Sequence, residues 1–285
     1  MLVTRRPNGL TIVAQNDHGA LAGELAGRWG NGRFAAPALG ESLRIAAAHH
    51  DDGWRELDDL PAYNAEAGRP AHFLELALER TAPPYGRGVD SVYERDLLAG
   101  ALVGMHWSGL YSGRWGLQGS GPVPHPLAEA VVVEQERRRQ DAILEAWGHE
   151  GLRSEFEADV WYAYELLQAL DVMSLALSLL DPAAVIDPVA QAQPLPSTLF
   201  QVEQPPGGRI LPAIPVAPLG EHLDLVLTVP EPGLAAIDPW PFEQASFTVA
   251  LPARVLEDTE LPEEEGTAAF HAAPWTAIEW TLAAV

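Results

Sequence analysis

The run Ala46-Ala47-Ala48-His49-His50-Asp51-Asp52-Gly53-Trp54 puts two imidazoles and two carboxylates at the end of an apolar helical turn, with a glycine stop just beyond them. Imidazole nitrogen and carboxylate oxygen are the donors that suit Mn, Fe, Ni or Zn. An ion held this way generates hydroxide from bound water and polarises a phosphoryl or carbonyl oxygen. A bare His-Asp dipeptide carries little weight, so its setting decides. His18 lies 32 residues before His50 on an earlier predicted helix. Asp171 stands among Leu166, Leu167, Leu170, Met173 and Leu175 in a late one, where a buried acid must be paired or metal-bound. Adjacent positions on a helix diverge by about 100°, so His50 and Asp51 can share one ion only beside a helix end, and Gly53 supplies that end.

Other residues extend the set. His106, in Gly104-Met105-His106-Trp107, is the best fifth metal ligand; its alternative reading is a hydrogen-bonded core histidine. His125 is a weaker sixth. His49 points away from His50 and is a candidate to contact a metal ligand or the substrate, and Asp52 is a candidate to orient a ligand or to act as base; the two are the candidate catalytic residues. Asp52 has a further reading as a group that caps the helix end. Arg55, with Arg44 and Arg114, is available to a phosphate. Trp54 and Trp107, grouped in sequence with Trp115, Trp161, Tyr111 and Tyr164, offer either a stacking surface for a substrate or ordinary core packing.

The composition narrows the chemistry. The chain has 285 residues, 17 basic and 40 acidic, for a net charge of −23, and every basic residue is Arg. Without Lys there is no Schiff base and no P-loop lysine. The field repels a nucleic-acid duplex, which binds through clustered cations. The lack of Cys excludes disulfides, thiolate zinc sites, iron–sulfur clusters and cysteine nucleophiles. No apolar run has the length of a membrane span and no secretory leader is legible, so the reading is a cytoplasmic protein with no membrane partner. The oligomeric state is not legible.

The elements that must position these residues read in four parts. Residues 1–16 form a β-hairpin about Asn8-Gly9. Residues 17–180 are helical, with Asp17 as cap of the first helix and further helices at about 41–50, 71–80, 90–111, 126–148 and 155–180. Residues 181–219 carry nine prolines and form an extended arm. Residues 220–285 are acidic and rich in short strands, with Glu263-Glu264-Glu265 as a solvated loop. The hairpin and the C-terminal strands are expected to share a sheet on the helical middle, the alternative being a separate C-terminal domain.

In motif order the chain resembles the HD-domain superfamily of helical metal-dependent phosphohydrolases. The resemblance rests on His18, on His50-Asp51-Asp52-Gly53 and on Leu166-Leu-Gln-Ala-Leu-Asp171, over about residues 17–180. More narrowly, Gln15-Asn16-Asp17-His18, the His-His-Asp-Asp-Gly-Trp run and Asp171-Val-Met-Ser174-Leu resemble an uncharacterised bacterial family known as a domain of unknown function, which implies no substrate. The chain departs from many HD enzymes in having Trp54 where they have Lys, leaving Arg55 as the nearby cation. The resemblance implies a mainly α fold, an HD-like bundle carrying a small β-sheet made by the hairpin and C-terminal strands, α+β overall. It implies one or two divalent ions on His18, His50, Asp51, Asp171 and His106. The implied activity is hydrolysis of a phosphoester, in a small phosphorylated molecule or nucleotide, by metal-activated water. Two alternatives stand beside it: a di-iron oxygenase on the same constellation, and a non-catalytic regulatory or binding protein on the same scaffold.

Overall fold

The computed structural model describes residues 1–114, 122–185, 192–195, 199, 201–257 and 260–285. Trp115 and parts of the proline arm lie outside these.

The hairpin forms as read: β1 (Leu2–Arg6) pairs antiparallel with β2 (Gly9–Val13), and Gly9 takes the positive φ of 124° that the tight turn requires. The helical middle consists of α1 (Gln15–Ala26), α2 (Gly40–His49), the short α3 (Arg55–Asp59), α4 (Leu78–Arg95), α5 (Leu97–Ser112), α6 (Pro126–Trp147) and α7 (Arg153–Leu179). A small ribbon, β3 (Tyr63–Asn64) with β4 (Arg69–Pro70), interrupts it. Four boundaries differ from the sequence reading. Helix α1 begins at Gln15, so Asp17 sits inside its first turn, and the Asp58 carboxylate caps it from a distance by accepting the Gln15 N–H at 2.6 Å. The stretch at 71–80 holds only a 3₁₀ turn at Phe73–Glu75 before α4 begins. The single helix expected at 90–111 is two helices, because Asp96 is extended and its side chain accepts the Ala99 N–H at 2.7 Å as the cap of α5. The Glu263 to Glu265 run is not a loop but the exposed first turn of α8 (Glu263–Ala272).

The larger correction concerns the sheet. The expectation of a mainly α, HD-like bundle with a small sheet fails: the fold is α+β, with 47% helix and 23% strand among the described residues, and is dominated by a curled eight-stranded sheet. Its remaining strands are β5 (Gln193–Pro194), β6 (Arg209–Pro215), β7 (His222–Glu231), β8 (Leu234–Asp238), β9 (Ser246–Leu256) and β10 (Trp275–Ala284), in the order β1-β2-β9-β10-β8-β7-β6-β5. The hairpin joins it through β2 against β9. Along β9, Phe247, Val249, Leu251 and Ala253 are buried and alternate with exposed Ser246, Thr248, Ala250 and Pro252, the period-two pattern of a sheet with one face on a core.

That core is shared with the helices. Helix α7, buried from Leu166 through Leu179, packs on α1, α2, α5, β1 and β6, and Trp280 of β10 donates its indole N–H to the Leu177 carbonyl at 2.9 Å. A smaller cluster of Met1, Val3, Leu10, Ile12, Leu256 and Phe270 fills the space between the hairpin's other face and α8. Among the described residues no helix is long and apolar enough to cross a membrane.

Candidate metal centre

Three elements and one helix end bring five donors together. Helix α1 presents His18, α5 presents His106 and α7 presents Asp171. His50 is the C-cap of α2, still in helical conformation, whereas Asp51 has left the helix at φ −112°, ψ 18°. This change of direction lets two sequence neighbours face one point. The following 3₁₀ turn (Asp52–Trp54) lies hard against α4: a Cβ on Gly53 would stand 2.4 Å from the Pro84 carbonyl oxygen.

All five donors are buried, with exposures of 1% for His18, 2% for His50, 6% for Asp51, 3% for His106 and 3% for Asp171. His18 Nε2 lies 3.3 Å from Asp171 Oδ1 and 3.6 Å from Asp51 Oδ2. His50 Nε2 lies 3.4 Å from Asp171 Oδ1 and 3.8 Å from Asp51 Oδ2, and His106 Nε2 lies 3.9 Å from Asp171 Oδ2. Two ligands about 2.1 Å from one ion at a tetrahedral angle stand about 3.4 Å apart, so these separations have the scale of the edges of a coordination shell. The triads His18–His50–Asp51 and His50–His106–Asp171 each form a group able to hold a metal ion, and they share His50.

The electrostatics call for a cation. Burial resists a proton on His50, but the Asp51 charge and the hydrogen bond and charge of Asp171 outweigh it and raise the imidazole to about 9. Burial likewise works against the Asp171 anion, yet hydrogen bonds from His18 and His50 hold it well below the usual carboxylate range. At Asp51 burial prevails and the pKa rises. His106 falls to about 3 through burial, despite Asp171, and is neutral, the state in which a histidine ligates. The carboxylates thus need a positive charge between them, which a proton on His50 or a metal ion supplies. His18 Nδ1 and His106 Nδ1 are buried without a hydrogen-bond partner among the described residues. Unpaired buried nitrogens cost about 1–3 kcal/mol each, a cost tolerated where the opposite ring nitrogen gains a strong bond. The donor set is all nitrogen and oxygen, and it fits a first-row divalent ion.

The other residues singled out in the sequence lie around this centre. His49 and Asp52 face away from it and bond each other, His49 Nδ1 to Asp52 Oδ2 at 2.9 Å. Arg95 reaches His49 Nε2 at 3.0 Å and Arg55 reaches Asp52 Oδ1 at 3.3 Å. Burial opposes the Asp52 anion, but the His49 hydrogen bond and Arg55 lower its pKa. Trp54 and Trp107 are buried in aromatic packing, Trp107 stacked on Tyr85 at 5.1 Å and Trp54 edge-on to Phe73 at 5.9 Å. His125 caps α6 and pairs with Glu79 at 3.2 Å. An open groove of about 830 Å³ runs along Asn16, Ala20, Gly23 and Gly27, the face of α1 opposite His18, and is flanked by Arg28, Arg44, Arg55 and His49. Two neighbours of the centre were not assigned roles from sequence. Gln15 donates Nε2 to Asp51 Oδ2 at 3.3 Å, and Tyr85 places a buried hydroxyl beside Asp51. Gln15 was legible only as part of the Gln-Asn-Asp-His run, and Tyr85, preceded by two prolines, left no signal.

Residues 1–258 match the family described as "Protein of unknown function (DUF3891)", and the chain belongs to it. No curated protein and no solved structure matches the chain. The resemblance to the HD-domain superfamily is therefore corrected: the family is DUF3891, and the curled sheet with its helices is not an HD helical bundle.

Proposed function

We propose that the chain is a metal-dependent hydrolase acting on a phosphoester of a small molecule or nucleotide. The observation that carries this reading is the meeting of His18, His50, Asp51, His106 and Asp171, spread over more than 150 residues, at separations of 3.3 to 3.9 Å. A bound Mn, Fe, Ni or Zn ion would supply a Lewis acid and a water of lowered pKa. His50 is held by its Nδ1 contact to the Ala47 carbonyl at 2.9 Å, which aims Nε2 at the centre. Gln15 orients Asp51, and the two carboxylates offset the cation. Because His50 Nδ1 is committed to Ala47 and its Nε2 faces both Asp51 and Asp171, the two triads meet at one nitrogen and the reading is of a single ion. Arg55 and Arg95, half or more exposed, are the cations nearest in sequence or contact to the His-Asp pair, but they bond Asp52 and His49 on the outer side of the helix end.

The test combines metal analysis with a phosphoester panel. Protein loaded with Mn, Fe, Ni or Zn is assayed on nucleotide mono- and triphosphates and a generic phosphodiester, beside Asp51→Ala. Loss of metal and turnover together in the variant is the expected result. Hydrolysis that survives in the variant overturns the assignment, and failure of the wild type to bind metal at micromolar concentration turns the reading to a non-catalytic binding protein. One observation favours a second reading, an iron oxygenase. No donor is more than 6% exposed, a depth dioxygen reaches more easily than a phosphoester. Dioxygen uptake by the ferrous protein would select it.

A further inference from the structure

We propose that Tyr85, Trp107 and Tyr111 form an electron path between the buried centre and the protein surface, ending where a one-electron carrier docks at Tyr111. The proposal rests on the metal reading above, with iron as the ion, and adds a class of partner to it.

The three rings make an unbroken series of contacts. The Tyr85 hydroxyl hydrogen-bonds the carboxylate of Asp51, one of the five donors. Its ring stacks on Trp107 at 5.1 Å between centroids, with 21° between planes. The Trp107 indole N–H in turn donates to the Tyr111 hydroxyl at 3.0 Å, one turn further along α5. Burial falls toward the outer end: Tyr85 and Trp107 are each 5% exposed, whereas Tyr111 is only partly buried. The inner end is fixed, since a Cβ on Gly53 would come within 2.7 Å of Tyr85 Cα. The other branch from Tyr85 stops inside the fold. Trp54 meets Tyr85 edge-on at 6.5 Å and leads to Phe73 at 5.9 Å, a ring lacking the hydroxyl or indole nitrogen that makes Tyr and Trp oxidisable.

The depth of the centre gives this series its use. No donor is more than 6% exposed, and an electron reaches such a depth through touching rings with no opening in the fold. Trp107 is the ring suited to carry the charge, because an indole gives up an electron without having to release a proton. Trp107 passes one electron outward past Tyr111 to an oxidant at the surface and is refilled by one electron from the ferrous ion. The oxidant is thereby reduced by one electron and the iron oxidised by one. No bond breaks, and the Nε1 proton stays in its hydrogen bond to Tyr111. With 17 basic against 40 acidic residues the chain draws a cationic carrier.

The experiment uses the full chain loaded with Fe(II) under nitrogen and photogenerated tris(bipyridine)ruthenium(III) as the cationic one-electron oxidant. The readout is the rate at which the ferric signal forms, followed by electron paramagnetic resonance in freeze-quenched samples. Trp107→Phe and Tyr111→Phe should keep full iron stoichiometry and slow this rate by about tenfold or more, equivalent to about 1.4 kcal/mol in the barrier. Tyr111→Phe, at a partly exposed position, keeps the test open where Trp107→Phe fails to fold. Trp54→Phe, which touches Tyr85 off the path, should match the wild type, whereas general loosening of the aromatic packing would slow all three variants. Wild-type rates in Trp107→Phe and Tyr111→Phe, equal slowing in Trp54→Phe, or iron-loaded wild type that forms no ferric signal overturns the path and leaves the metal reading standing. Absence of iron binding in the wild type overturns this proposal, and absence of Mn, Ni and Zn binding as well overturns the metal reading with it.

Discussion

His50 Nδ1 lies 2.9 Å from the carbonyl oxygen of Ala47, one turn back on the same helix, so that nitrogen carries a hydrogen and Nε2 is the atom left to face Asp51 and Asp171. Its neighbour His49 commits both ring nitrogens elsewhere, to Asp52 and to Arg95. Two adjacent histidines are thus divided between the inside and the outside of the fold by the end of a single helix.

This division predicts opposite outcomes for paired substitutions. His50→Ala should lower metal affinity by about 100-fold or more, above the range seen when only the partner of a ligand is removed. His49→Ala should leave metal stoichiometry unchanged. Competition against a chromophoric chelator measures both, and similar losses in the two variants would show that the site is not built on His50.

The contact of α1 with α2 beside His18 and His50 makes a second contrast. A Cβ at Gly23 would stand 2.5 Å from the Ala48 Cβ, closer than atoms tolerate, whereas one at Gly19 would meet the His50 ring and the Ala48 carbonyl oxygen at an ordinary 3.5 Å. Gly23→Ala should therefore push the helices apart and destabilise the protein by about 1–3 kcal/mol. Gly19→Ala, though nearer the centre, should be tolerated. Urea unfolding of both variants checks the difference, and equal stability would show that the helices yield without cost.

The parts of the site that were legible are those in which residue type alone is improbable. An acid among leucines, as at Asp171, and a His-Asp pair closed by Gly53 announce that something must compensate them. Gln15 and Tyr85 carry no such mark, since their importance lies in where a distant turn and α4 place them. The fold was legible where periodicity is strong, in the hairpin, α6 and α7. It was misread at Asp96, whose capping role ends one helix and starts the next within a single apolar stretch. The sheet was underestimated because β6 holds prolines at 212 and 215, residues that argue against a strand, and because ligand order on four residues suggested a helical bundle. A metal-ligand order belongs to a site, and different scaffolds can carry it.

His72 gives a pH dependence whose sign follows from its surroundings. Burial first, and then the Met1 ammonium, lower its pKa to about 3, with Glu75 opposing and Arg69 reinforcing the shift. The unfolded chain protonates this ring near pH 6.5 while the folded chain does not until near pH 3. The stabilisation is thus complete above about 6.5 and is lost as pH falls from there toward 3, at up to about 1.4 kcal/mol per unit. His72→Gln should flatten the stability profile between pH 6 and pH 4 relative to wild type. Urea midpoints measured at half-unit steps would show it, and parallel profiles would refute the assignment.

The family match ends at residue 258, before α8 and β10, yet β10 runs through the middle of the sheet. It is antiparallel to β9 from Trp275 to Ala283 and parallel to β8 from Thr281 to Ala284, and it buries Ile278, Trp280 and Leu282. Its Trp280 bonds to the Leu177 carbonyl, six residues along α7 from Asp171, which couples the sheet to the helix that carries a donor of the centre. Removing the strand would expose the long edge of β9 and the shorter edge of β8, and leave that carbonyl buried without its donor. Deletion of residues 275–285 is therefore expected to abolish cooperative unfolding and metal binding together. The milder Trp280→Ala should cost about 3–5 kcal/mol with the centre intact. Circular dichroism, urea unfolding and metal titration on the two variants distinguish these outcomes. A deletion variant that keeps a cooperative transition and binds metal would show that the helices and the first nine strands hold the centre without the strand at the heart of the sheet.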